Sequence, residues 1–296
     1  MKKHAILLLA HDQLSHLIDL INLFNDNFIF FIHLDKSGQY NEEDILRIKN
    51  FKNVQLIEKK YKIKWGGYSI IKGFIWLAKQ IPCIENYTYI HLMSGHDLPL
   101  LPPEEILVYF EKNKGKQFLH HFKLPSDNWG ENGGLDRLKY YHFYDQFNGK
   151  NKFGFLLIRI LIRLQKILGL KRDLSKINLK LFGGSCWCSL TGSCFKFCID
   201  YLKSHPGYLK SMKYTFAPDE LFFHTLVMNS PYKSNVVNDN LYFIEWGNSP
   251  SSSPEILTED HIQKVSKSGK LFARKITLPY SNRLKAKFKK NQNRVK

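Results

Sequence analysis

Ala5-Ile6-Leu7-Leu8-Leu9-Ala10-His11-Asp12, near the start of a chain of 296 residues, is the stretch whose reading decides the fold. It follows Lys2-Lys3 and superficially resembles a secretory leader. Its apolar run is short, however, and ends at His11-Asp12 without a small-residue cleavage site. A short continuous apolar run bounded by polar residues reads instead as a strand buried on both faces. Moving outward, helical periodicity over 14–24 is followed by β-rich 28–33, a helix over 42–49, a strand over 54–58, a helix over 69–79 and a strand over 87–93. A further helix opens at Pro102-Pro103-Glu104-Glu105, where proline and acids suit a first turn. This alternation predicts an α/β fold, a mostly parallel sheet flanked by helices on both faces. Such sheets bind ligands at the carboxyl ends of their strands. His11, His33-Leu34-Asp35-Lys36 and Ser94-Gly95-His96-Asp97 follow three of those ends. No GxGxxG follows the first strand and no GxxxxGK[ST] occurs, so dinucleotide and P-loop readings lack their phosphate cradle.

Composition bounds the rest. The chain is 44% hydrophobic and 14% aromatic, enough for a sizeable core. Its 44 Lys and Arg against 26 acids give a net charge of +18, which favours a polyanionic partner: nucleic acid, an anionic membrane face or a phosphorylated ligand. No stretch approaches the ~20 apolar residues of a spanning helix, and the expected location is the cytoplasm. Five cysteines, an odd number, argue against a disulfide framework. Cys186, Cys188, Cys194 and Cys198 fit no common zinc spacing and are expected reduced and mostly buried.

Several segments can carry chemistry, and each has a plainer alternative. Ala217-Pro218-Asp219-Glu220 places two adjacent carboxylates at a Pro-initiated helix start. In apolar surroundings such a carboxylate becomes a general base, and otherwise it only complements the helix dipole. Gly183-Gly184-Ser185-Cys186-Trp187 combines small residues, suited to close backbone approach or to tight turns, with a Trp that can stack on a sugar. Of His120-His121, strand alternation lets at most one face a site, and no metal is expected there. Phe272-Ala273-Arg274-Lys275 offers cations to a diphosphate, or is ordinary basic surface. Over 153–168, Arg159, Arg163 and Lys166 form a basic stripe on an otherwise apolar helix, the pattern of a membrane-interface helix or of a core helix with one solvated face. The tail 281–296 carries Arg283, Lys285, Lys287, Lys289, Lys290, Arg294 and Lys296 and no acid.

In this order the segments resemble the core-2/I-branching β-1,6-N-acetylglucosaminyltransferase and peptide O-xylosyltransferase family, glycosyltransferase family 14. The matching residues are Ala10-His11, His33 to Lys36, Trp65-Gly66-Gly67-Tyr68-Ser69, Leu92 to Leu100, Gly184-Ser185 with Trp187, Ala217 to Glu220, and Phe272 to Lys275. The resemblance implies a GT-A-type fold, in one catalytic domain over 1–280 (donor half 1–123, acceptor half 124–280) followed by the basic tail. It implies an inverting transferase that moves a sugar, GlcNAc first and xylose as the alternative, from a UDP-sugar to a hydroxyl of a glycan or lipid-linked glycan acceptor in surface polysaccharide or lipooligosaccharide synthesis. Glu220 would be the base with Asp219 beside it. His11, Asp35, Trp65, Ser94, Asp97, Arg274 and Lys275 would bind the donor, and Gly184, Ser185 and Trp187 the acceptor.

Most GT-A enzymes hold a metal on Asp-x-Asp, and this chain has none. The family works without it, through basic side chains, so neither cofactor nor metal is expected. A second family cation is expected in 241–246, where Tyr242 stands instead, with Arg274 as its substitute. The helix 153–168 and the tail would hold the protein peripherally on the inner face of an anionic membrane. The rival from another class is a basic nucleic-acid-binding protein, for which no recognisable motif is found.

Overall fold

The computed structural model describes residues 3–127, 129–175, 177–247 and 253–292. Ten strands are present among them: β1 (His4–Ala10), β2 (Phe28–Leu34), β3 (Val54–Glu58), β4 (Tyr89–Ser94), β5 (Leu98–Pro99), β6 (Gln117–Lys123), β7 (Phe182–Thr191), β8 (Val236–Val237), β9 (Tyr242–Ile244) and β10 (Phe272–Arg274). Seven form one sheet in the order β3-β2-β1-β4-β7-β6-β8, and β5-β10-β9 form a second. The run from β3 to β4 is parallel. The first strand is the centre of that run, with every residue from His4 to Ala10 buried.

Successive side chains of β1 go to opposite faces. Leu7 joins Ile71, Phe74, Phe195 and Phe222 in one core, and Ile6 and Leu8 join Leu17, Ile45 and Phe110 in the other. The helices Ser69–Lys79, Gly192–Ser204 and Phe222–Met228 thus cover one face, and Leu14–Asn22, Glu42–Lys49 and Pro103–Lys112 the other.

The structure departs from the sequence reading at two places, the glycine-rich segment and the basic tail. The glycine-rich segment near 183–192 is not a turn but the ten-residue β7, antiparallel to both β4 and β6. Its glycine serves close approach: a Cβ on Gly184 would lie 1.9 Å from the His120 carbonyl oxygen, beside the bulge between Leu119 and His121. Residues 259–267 form a 3-10 turn, Glu259–His261, running into the helix Ile262–Lys267. The basic tail is not a free tether as far as it is described. Asn282–Gln292 is a helix whose Leu284 and Phe288 are buried against Leu98, Leu100, Leu257 and Ile276. Lys285 pairs with Asp19 at 2.7 Å, and Lys289 reaches the same carboxylate at 3.4 Å. Arg294 and Lys296 lie outside the described residues.

Candidate active site

The carboxyl ends of β1 and β4 meet β10 at a cluster of cationic side chains. The turn after β4 folds on itself: Asp97, with no exposure, accepts from the Ser94 backbone N–H at 2.8 Å and from the Ser94 hydroxyl at 2.9 Å. The same carboxylate accepts from Tyr242 Oη at 3.1 Å and holds Arg274 Nη1 at 2.8 Å. Arg274 also donates to Ser94 Oγ, and its guanidinium lies over the Trp187 ring, 4.4 Å from the centroid. A charge removed from water this far needs its partners, so Asp97, Ser94 and Trp187 together fix Arg274.

Lys275 follows Arg274 in the chain. Burial and the neighbouring charges of Arg274 and Lys150 hold its amine below the usual lysine range, with Asp12 opposing them. Three like charges therefore crowd one place at the end of a parallel sheet, an arrangement that an anion relieves. Beside them, Asp12 Oδ1 lies 2.9 Å from His96 Nε2, and His11 Nε2 lies 3.5 Å from Asp12 Oδ2. His96 Nδ1 faces the Ile276 carbonyl at 2.7 Å, which makes Nδ1 the donor. Among the described residues this is the one group of His, Cys, Asp or Glu side chains that can surround a metal ion, its ligand atoms lying within 4.8 Å of one another. The donor set fits a divalent ion, but the adjacent lysines oppose one. Asp35, at the end of β2, is buried, and its Oδ1 accepts from Ser37 N and Oγ, both at 2.8 Å.

A cleft of about 410 Å³ lies on the other side of Tyr242, lined by Trp129, Arg137, Gly184, Ser185, Glu220 and Trp246 among others. Glu220 Oε2 accepts from Arg137 Nη1 at 2.6 Å. The Arg137 guanidinium sits 3.7 Å from the centroid of Trp129 and 5.0 Å from that of Phe216. Burial raises the Glu220 carboxyl above its ordinary value, against the opposing pull of Arg137. Asp219 moves the same way, first through burial and then through the Glu220 charge, with the Cys186 thiol as a hydrogen-bonding neighbour.

The segment that carries these acids is braced from elsewhere. Ala217 has φ 47°, a left-handed conformation that costs a non-glycine residue on the order of 1 kcal/mol. Its N–H donates to the Gly66 carbonyl at 2.8 Å. Gly66 itself has φ 71°, and a Cβ there would come within 2.8 Å of the Phe216 ring. Asp145 accepts from the Tyr68 and Ser69 N–H groups at 2.9 and 3.1 Å, and a Cβ on Gly67 would strike it. Trp65 packs edge-on against Tyr144 and Phe216. The Trp-Gly-Gly turn therefore supports the Pro-Asp-Glu turn.

Of the residues selected from sequence, Ser94, Asp97, Arg274 and Lys275 gather in one cluster with His11, while Glu220, Gly184 and Ser185 share the cleft. Trp65 belongs to the brace. Trp187, expected to stack on an acceptor sugar, carries the Arg274 guanidinium over its ring, which tilts against Tyr242. Ser185 Oγ accepts from Asn240 at 2.9 Å. His120, not His121, lines the cleft. Cys188, Cys194 and Cys198 are buried and unpaired, as expected. Sequence reasoning missed Arg137, Trp129, Trp246, Asn240, Lys150 and Asp12, which carry no local pattern that marks them.

Asp219 gives a pH prediction. Its folded value, raised to about 7, lies above the unfolded one, so the native state holds the proton more tightly. Its contribution to stability is fullest below the ordinary aspartate range and is lost as pH rises from about 4 to 7. Asp219→Asn removes that loss. Thermal melts of the variant should match wild type near pH 4 and exceed it at about pH 8 by roughly 1–3 kcal/mol.

A parallel sheet ending in a cation cluster, beside an aromatic cleft holding a carboxylate, defines the α/β domain. The chain belongs to the Core-2/I-Branching enzyme family, a family of glycosyltransferases, whose model matches residues 6–266. Among curated relatives, Xylosyltransferase 2 of Mus musculus is 26% identical over 250 residues, covering 82% of this chain and 26% of the relative. Xylosyltransferase sqv-6 of Caenorhabditis elegans is 25% identical over 231 residues, covering 77% and 26%. The chain thus spans about a quarter of the length of these relatives. Among solved structures, S. aureus TarS in complex with UDP overlaps at TM-score 0.29 with 12% identity, covering 40% of this chain and 34% of that one. The bifunctional glycosyltransferase WbbM overlaps at TM-score 0.36 with 8% identity, covering 91% and 45%.

Proposed function

We propose that the chain is an inverting glycosyltransferase of GT-A type that moves a sugar from a UDP-sugar to a hydroxyl of a glycan or lipid-linked glycan. The observation that supports it most is the placement of Glu220. This raised carboxyl stands in an aromatic cleft joined, through Tyr242, Asp97 and Arg274, to the cations around Lys275. In the reaction the acceptor oxygen attacks the anomeric carbon as its proton passes to Glu220. The bond from that carbon to the β-phosphate oxygen breaks, and UDP leaves with the electron pair. Lys275, Lys150 and Arg274 meet the charge that develops on the diphosphate, the task a metal performs elsewhere. Trp246, 57% exposed at the cleft, offers a ring face to an acceptor sugar.

The donor is GlcNAc or xylose. The resemblance puts GlcNAc first, and the names of the matched relatives favour xylose. Hydrolysis and transfer with a panel of UDP-sugars, with and without EDTA, test both points. The expected result is turnover of one sugar that EDTA leaves unchanged within about twofold, since cationic side chains carry the leaving-group charge. A loss of more than tenfold on chelation would instead assign the His11, Asp12 and His96 group to a required metal. Absence of UDP binding together with salt-sensitive binding of DNA or RNA would favour the nucleic-acid alternative.

A further inference from the structure

The helix Lys152–Ile167 has two apolar faces. One carries Gly154, Ile158 and Gln165 and is buried in the molecule. The other is a row at helical spacing, Phe153, Leu156, Ile160, Leu164 and Ile167, exposed by 72, 56, 45, 47 and 71%. Leu168 and Leu170 extend it, exposed by 65 and 54%. At 100° per residue the row spans about a quarter of the helix circumference, and Lys152, Arg159 and Arg163 lie along one of its flanks. The helix contains no acidic residue. An uninterrupted outward apolar row of this kind marks a contact surface.

We infer that this row docks on an anionic lipid surface, with the side chains of the row entering the headgroup–acyl boundary and Arg159 and Arg163 contacting lipid phosphates. Charge decides the occupant. A second copy packed row to row in the antiparallel sense would bring Arg159 and Arg163 of both copies together, and in either sense the helix adds no acid to offset them, whereas anionic lipid complements them. Lys166, the third basic residue of the stripe, does not take part. It is drawn to Asp136 at 3.0 Å and to Glu131.

The attachment of this helix orients the catalytic cleft. Gln165 Oε1 accepts from the Tyr141 N–H at 2.7 Å, and its amide donates to the Tyr141 carbonyl at 3.0 Å. Asp136, bound by Lys166, precedes the cleft's Arg137 in the chain. On the transferase reading above, docking would bring the cleft beside the bilayer, where a lipid-linked acceptor resides.

Co-sedimentation with vesicles tests the docking without any assay of turnover. Phosphatidylcholine vesicles are compared with vesicles in which a third of the lipid is phosphatidylglycerol. Wild type should bind the anionic vesicles at low salt and release them at high salt. F153S/L156S/I160S, which alters only outward side chains, should bind at least tenfold more weakly with an unchanged circular-dichroism melt. R159E/R163E should lose a comparable factor on anionic vesicles only. Wild type that ignores anionic vesicles, or a triple variant that binds as well as wild type, overturns the proposal. So does a wild-type dimer in light scattering that the triple variant dissociates, since the row would then be covered by a second copy.

Discussion

Glu220→Gln should lower kcat by about 10²–10⁴-fold, the usual contribution of a positioned general base, while UDP binds as in wild type. The substitution keeps the shape of the side chain and its acceptor oxygen for Arg137, so the turn at Pro218–Glu220 has no reason to move. Only the capacity to take a proton is lost. The wild-type pH profile carries the same information. On the proposed mechanism Glu220 works ionised, and burial holds its carboxyl above the ordinary glutamate range. Activity should therefore fall on acidification at a pH above that range, and the acid limb should vanish in Glu220→Gln. Arg137→Gln tests the opposing influence. The guanidinium favours the carboxylate, so its removal should move the acid limb to higher pH and weaken the acceptor KM. A Glu220→Gln variant that keeps full transfer activity would remove Glu220 from the chemistry.

The parallel half of the sheet was legible because β1 and β2 are apolar runs that end abruptly in polar residues and β4 is one broken only by His91, a pattern set by burial on both faces. The strand β7 was not, because Phe-Gly-Gly-Ser-Cys has low strand propensity and its pairing depends on how closely β6 approaches at His120. The site divides in the same way. Glu220 and Lys275 stand within motifs that chain order makes recognisable. Arg137 is one of 44 basic residues, and only the fold places it between Trp129 and Glu220. Trp187 shows the limit from the other side: an indole in a glycine-rich segment suggests a sugar platform, but the ring serves whichever partner the neighbouring strand supplies, here Arg274. The tail misleads for a similar reason. Its basic composition hides Leu284 and Phe288, whose four-residue spacing puts both on the face that the core buries.

The second large effect should come from Lys275. Arg274, although nearer the centre of the hydrogen-bond network, has its charge matched by Asp97 at 2.8 Å and its face covered by Trp187. What Arg274 offers a diphosphate is geometry more than net charge. Among the described residues Lys275 has no such partner: the Asp12 charge acts on its amine less than burial, Arg274 and Lys150 do. On the proposed mechanism it carries the charge that a departing UDP needs. Lys275→Met keeps the length of the side chain and should lower kcat/KM by about 10²–10³-fold, the range found when one preorganised donor is removed from a developing anion. UDP, which carries the same diphosphate, should also bind more weakly. Glu220→Gln leaves UDP affinity alone, so isothermal titration with UDP separates the two variants. Asp97→Asn completes the comparison. It keeps Lys275 and disturbs the anchor of Arg274, so it should cost less than Lys275→Met if net charge is what counts at the leaving group. A larger loss in Asp97→Asn than in Lys275→Met would transfer the leading role to Arg274 and to the turn Ser94–Asp97 that holds it.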